Sequence, residues 1–127
     1  MGGTIRVLVV DEDEDVLELT ETFLERESEV LTVLPEPSAK TALDRVDEED
    51  VDCVVSDFRM PEMDGLELFD AVRERDVDVP FFLLTAATDS ETLDSAREVG
   101  VTGLIQKGAG TDHYTDLANR IVDAVDG

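Results

Sequence analysis

The sequence predicts an α/β domain in which a parallel sheet carries helices on both faces. Three observations support this. Five short apolar runs rich in β-branched residues recur along the chain, and an amphipathic segment of helical period follows each one. Strands alternating with helices imply parallel neighbours joined by crossover helices. The length, 127 residues, suits one domain with its own core and leaves little room for a second. No repeat, linker or low-complexity tract divides it.

The elements follow in order. Ile5 to Val10 is apolar apart from Arg6 and reads as a buried strand. From Asp13 to about Glu27, Val16, Leu17, Thr20, Phe23 and Leu24 share one helical face. Val30 to Leu34 is a second strand, expected to break at Pro35 and Pro37. Ser38 then caps a helix that turns Ala39, Ala42, Leu43 and Val46 inward. Cys53-Val54-Val55 is a third strand ending in Ser56-Asp57, and after the loop Phe58 to Asp64 a helix bears Leu66, Leu68, Phe69 and Val72.

Pro80 starts the strand Phe81 to Leu84, which Thr85 follows. Asp89 or Ser90 caps a helix with Leu93, Ala96 and Val99 inward, closed by Gly100. Gly103-Leu104-Ile105 is a brief last strand before Lys107. Thr111 or Asp112 opens a final helix carrying Leu117, Ala118, Ile121, Val122 and Val125.

Ligands of open α/β sheets bind beyond the carboxyl ends of the strands. Four of the five runs stop at a polar residue suited to that place: Asp11-Glu12, Asp57, Thr85 and Lys107. If strands one, three, four and five are neighbours, these side chains converge on one rim. Three carboxylates there would repel by roughly 4 kcal/mol per pair at ~4 Å and an effective dielectric of ~20. They call for a cation. Hard oxygen ligands without His or Cys favour Mg²⁺, which keeps waters and accepts a phosphoryl oxygen as partner. A hydroxyl and an ammonium alongside complete a phosphoryl site. Taken singly, an Asp after a strand is most often a turn or cap residue, and Lys107 a solvated charge. Joint placement at four strand ends gives them weight.

These residues carry a resemblance. Val9-Val10-Asp11-Glu12, Asp57-Phe58-Arg59-Met60-Pro61-Glu62-Met63-Asp64-Gly65, Leu84-Thr85-Ala86 and Lys107 resemble the receiver domain of two-component response regulators, over about Thr4 to Val125. The resemblance implies a flavodoxin-like, doubly wound sheet of five parallel strands, order 2-1-3-4-5, with five helices. It makes Asp57 the phosphoacceptor, which takes a phosphoryl group from a phosphohistidine on a histidine kinase or phosphotransfer protein. Asp11, Glu12, Asp57 and the backbone carbonyl of Arg59 would hold Mg²⁺, with Glu12 bound directly or through water. Thr85 and Lys107 would bind the phosphoryl oxygens. Output would pass through the fourth helix, last strand and last helix, about Asp89 to Val125. Such a domain is a signalling module, not an enzyme with an external turnover substrate.

Two positions depart from the family pattern. Leu104 stands where the switch aromatic is common, and Gly108, not proline, follows Lys107. A cis peptide without proline costs ~3 kcal/mol, so none is assumed at Lys107-Gly108. Both departures concern output, not phosphorylation. The segment Gln106-Lys107-Gly108, with Tyr114 and Leu117-Ala118-Asn119-Arg120, looks like receivers at the front of haloarchaeal sensor proteins. The domain therefore either stands alone or opens a longer signalling protein, and a homodimer remains open.

Composition agrees. Asp and Glu number 33 against 10 Lys and Arg, a formal charge of −23 that repels nucleic-acid backbones and anionic membrane surfaces. Lys40 and Lys107 are the two lysines. An acidic, lysine-poor chain resembles proteins of extreme halophiles, whose self-repulsion is screened within ~3 Å at 1 M salt. The single cysteine, Cys53, excludes an intramolecular disulfide and reads as a core residue. Apolar runs are too short to span a bilayer, no leader opens the chain, and Arg6 spoils a Met1-Gly2 myristoylation signal. A cytoplasmic protein is expected.

Three other readings fail or recede. Asp11, Asp13 and Asp15 have EF-hand spacing, but Val16 and Thr22 occupy the required Gly and Glu positions. His113 and Tyr114 read as surface or half-buried residues. Asp11-Glu12-Asp13 with Thr85 and Lys107 also resembles haloacid-dehalogenase phosphatases, with Asp11 as nucleophile. Asp15 then stands where Thr or Val is preferred, and Asp57 to Gly65 goes unexplained.

Overall fold

The computed structural model describes residues 4–85, 90–107 and 112–126, with the backbone alone at 90–93 and 126. Strands and helices alternate: β1 (Ile5–Val10), α1 (Glu14–Glu27), β2 (Leu31–Glu36), α2 (Ala39–Glu48), β3 (Cys53–Asp57), α3 (Gly65–Glu74), β4 (Phe81–Thr85), α4 (Ser90–Val99), β5 (Gly103–Gln106) and α5 (Asp112–Asp126). All strand pairs are parallel, in the order β2-β1-β3-β4-β5. The expected architecture and strand order are both present.

Strand alternation splits the core into two layers. Val7, Val9, Cys53, Val55, Phe82 and Leu84 face α1 and α5, where Leu24, Leu117 and Ile121 are fully buried. Leu8, Val10, Val54, Phe81 and Leu83 face α2, α3 and α4. On that side Phe69 meets Phe81 edge to face at 5.2 Å. With both faces covered, β1, β3 and β4 read as nearly continuous apolar runs, as parallel strands do.

Helix starts follow local chemistry. Asp13 caps α1 by accepting from the Asp15 and Val16 amides, Ser38 caps α2 through the Thr41 amide, and Asp64 forms a capping box with Glu67 on α3. Gly100 follows α4 with φ of 93°, the left-handed conformation glycine adopts freely. Asp89 and Thr111, the alternative caps for α4 and α5, lie outside the described residues, as do Ala86 and Gly108.

Three expectations are corrected. Pro35 does not break β2, which begins one residue later than Val30 and runs through to Glu36. In the parallel ladder the amides of Ile5 and Asp11 reach the carbonyls of Val30 and Glu36, and Pro35 lies opposite Val9. The Val33 amide points away from β1 and is bound by Glu25 from α1 at 2.9 Å. Pro35 is two residues on, so its missing N–H belongs to the same outer edge, where proline costs no ladder bond. Val99, the last residue of α4, is 42% exposed and not turned inward. Tyr114 is buried: its ring stacks on Phe23 at 5.3 Å and its hydroxyl accepts from Thr20 Oγ1 at 3.4 Å.

Candidate functional site

The carboxyl ends of β1, β3, β4 and β5 form one rim, because these strands are consecutive neighbours in the sheet. Asp57 ends β3 level with Leu84, and Thr85 lies one residue further along β4. Backbone bonds hold the surroundings. The Phe58 amide donates to the Leu84 carbonyl at 2.9 Å, and the Lys107 amide to the Thr85 carbonyl at 2.8 Å. Asp11 leaves β1 with its amide on the Glu36 carbonyl.

At the centre, Lys107 Nζ sits 2.9 Å from Asp57 Oδ1 and 3.8 Å from Asp11 Oδ2. The second oxygen of Asp11, Oδ1, accepts from the Asp13 amide at 2.9 Å. Oδ2 is buried and makes no hydrogen bond among the described residues. Burial holds the Asp11 carboxyl above the usual aspartate range, and the neighbouring charges of Asp57 and Asp13 push the same way. The Asp13 amide and the Lys107 ammonium pull it down. Side-chain exposure falls from 16% at Asp57 to 5% at Asp11, so Asp57 is the more accessible carboxylate. Thr85 is buried at the same rim.

Gly65 packs against this site in a way that spacing alone did not reveal. A Cβ there would lie 2.4 Å from Leu83 Cδ2 and 2.9 Å from the Asp57 carbonyl oxygen. The Gly65 amide donates to the Phe58 carbonyl at 2.8 Å, which folds the loop 58–64 back toward Asp57. Its place directly before a helical pattern was the available signal. Asp13 was likewise missed as a support for Asp11: the sequence showed it as a helix start and as a member of two motifs that fail, not as a backbone donor to Asp11.

Of the residues singled out, Asp11, Asp57 and Lys107 come together, and Thr85 borders them. Glu12 is exposed, and among the described residues no three Asp, Glu, His or Cys side chains lie close enough to hold an ion together. Turning Glu12 inward would add repulsion to a pair already served by one ammonium, whereas outside it keeps its hydration. The Arg59 side chain is exposed on the loop leaving β3. The donors suit Mg²⁺: oxygen ligands only, with a buried carboxylate oxygen lacking a hydrogen bond. Leu104 is half-buried and packs on the side of α2, α3 and α4.

Comparison with known proteins agrees with this geometry. A protein of Leptolyngbya boryana named "Uncharacterized 14.6 kDa protein in sodA1 3'region" is 39% identical over 103 residues, 80% of this chain and 77% of its own. Response regulator SaeR of Staphylococcus aureus is 29% identical over 101 residues, again 80% of this chain but 43% of SaeR. The chain thus spans less than half the length of that relative. Among solved structures, Vibrio cholerae chemotaxis protein CheY4 superposes with a TM-score of 0.83 and 25% identity, covering 94% of this chain and 99% of the other. The family model "Response regulator receiver domain" matches residues 7–119, from inside β1 to inside α5. The protein belongs to the response regulator receiver domain family, the signalling domains of two-component systems.

Proposed function

We propose that Asp57 is the phosphoacceptor of this receiver and that its phosphoryl donor is a phosphohistidine on a sensor kinase or phosphotransfer protein. The observation that supports it best is Lys107 Nζ at 2.9 Å from Asp57 and 3.8 Å from Asp11, at the carboxyl rim of the sheet. An Asp57 carboxylate oxygen attacks phosphorus, the bond from phosphorus to the donor imidazole nitrogen breaks, and an acyl phosphate results. Lys107 then pairs with a phosphoryl oxygen, and the Thr85 hydroxyl donates to another. Asp11, Asp57, the Arg59 carbonyl and, directly or through water, Glu12 would hold Mg²⁺. When bound, the ion neutralises charge on the transferring group.

Asp11 is a poor nucleophile by comparison, being more buried and with one oxygen bound to the Asp13 amide. The phosphatase reading therefore gains nothing from the geometry. Output would pass through α4, β5 and α5, with the half-buried aliphatic Leu104 at the position where the family often has an aromatic. A cytoplasmic site of action suits a chain in which no described helix is long and apolar enough to cross a membrane. The acidic coat suits molar salt, and dilution to low salt should then collapse the circular-dichroism signal. A fold unchanged there would contradict the halophilic reading.

Intact-mass measurement with acetyl phosphate in molar KCl tests the acceptor. Wild type should gain one phosphoryl mass only with Mg²⁺ present, and Asp57→Asn should gain none. Labelling of Asp57→Asn at the wild-type level would refute the assignment.

A further inference from the structure

A cleft opens beside the phosphoacceptor rim, between the segment that starts α2 and the loop 58–64. Its empty volume, open solvent included, is about 310 Å³. Pro37 and Ala39 line one wall; Met60, Pro61 and Met63 line the other. Glu12 and Glu62, both exposed, line it as well. The remaining polar wall residue, Ser38, is engaged, since its Oγ accepts from the Thr41 amide at 3.2 Å. The cleft is therefore an almost wholly apolar trough with one exposed acidic residue, Glu62, that the Mg²⁺ reading does not use.

That combination fits one kind of occupant. Lys and Arg carry an aliphatic stem that packs on apolar surface and a cationic head that seeks carboxylates. Methionines adapt to such a stem better than branched side chains do. A chain of net charge −23 reinforces the preference for a cation. Because Glu12 directly follows Asp11 and Met60 lies three residues after Asp57, an occupant of this cleft stands next to the reacting carboxylate. We propose that the cleft seats a Lys or Arg side chain of the phosphohistidine-bearing partner and so helps select that partner. The proposal rests on the phosphoacceptor reading and goes beyond it by naming a recognition element outside the Asp11–Asp57–Lys107 group.

Methyl NMR of the full chain labelled at its methionine Cε tests this, because two of the three methionines line the cleft. The probes are two short peptides with a central histidine, one flanked by arginine and one by its neutral isostere citrulline. Titrations use the lowest KCl concentration that preserves the native circular dichroism. The arginine peptide should shift Met60 and Met63 saturably, at least about fivefold more tightly than the citrulline peptide, the scale of one partly exposed ion pair. Glu62→Lys should abolish that preference while its labelling by acetyl phosphate stays at the wild-type rate. Equal affinities, no shifts, or a preference that survives Glu62→Lys would overturn the proposal. Failure of acetyl phosphate to label wild type would instead overturn the phosphoacceptor reading, so the two failures are separable.

Discussion

Asp57 ends a strand with neighbours on both sides, β1 and β4, whereas Leu104 lies on β5, which pairs with β4 alone. The two regions differ in how tightly each side chain is constrained. Around Asp57, backbone bonds tie Phe58 to Leu84 and Gly65 to Phe58, and Lys107 joins two carboxylates from different strands. On the opposite flank, Ala96 is the buried residue among the described side chains of α4, Val99 is 42% exposed, and Leu104 is half-buried. A change at the end of a central strand disturbs both neighbours and two helical layers. A change on the flank disturbs less. Both departures from the family pattern, Leu104 and Gly108, fall in sequence at β5 or just after it.

The contrast can be broken first in the core. Phe81→Ala removes a fully buried ring from β4 and should cost about 3–5 kcal/mol. Val99→Ala on the flank should stay within about 0.5 kcal/mol. Urea melts at constant KCl measure both, and similar costs would erase the distinction. Lys107→Ala should slow acetyl phosphate labelling by about 10²-fold, as loss of a charge-stabilising donor does, against about twofold for Leu104→Ala. Labelling time courses read the two directly.

Gly65→Ala tests how far the site depends on close packing. The new methyl would meet Leu83 and the Asp57 carbonyl, and overpacking of this kind costs about 1–3 kcal/mol. It should also slow labelling, since the displaced backbone is that of Asp57 itself. A variant as stable and as reactive as wild type would show that the loop can shift freely.

Cys53 gives the smallest effect and a probe of the central strand. Burial raises the pKa of its thiol far above the ordinary cysteine range. The folded state therefore keeps a proton that the unfolded chain releases above pH 9, and stability falls as pH rises past that point. The slope from this group is about 1.4 kcal/mol per pH unit, and Cys53→Ala should remove it. Thiol labelling at pH 8 should likewise be negligible until the protein unfolds.

Much of this was legible in the sequence because the central strands announce themselves. β1 and β3 are apolar on both faces, so their bounds and the polar residues that end them could be read directly. Asp11, Asp57, Thr85 and Lys107 were found by that route, and the family motif around Asp57 supplied roles for them. What could not be read depends on neighbours distant in sequence. Pro35 looked like a strand breaker because nothing local shows that its nitrogen faces the outer edge beside Glu25. Tyr114 looked half-exposed because its partners, Phe23 and Thr20, come from α1. The outward turn of Glu12 follows from crowding by two carboxylates that meet only in the folded sheet.

The most direct test of the central claim is to trap the acyl phosphate chemically and locate it. Wild-type protein is incubated with acetyl phosphate and Mg²⁺ in molar KCl, reduced with borohydride, digested and mapped by mass spectrometry. The account predicts a homoserine residue in place of Asp57, dependent on Mg²⁺, with Asp11 unchanged. Reduction at Asp11, or labelling with Asp57 intact, would contradict it.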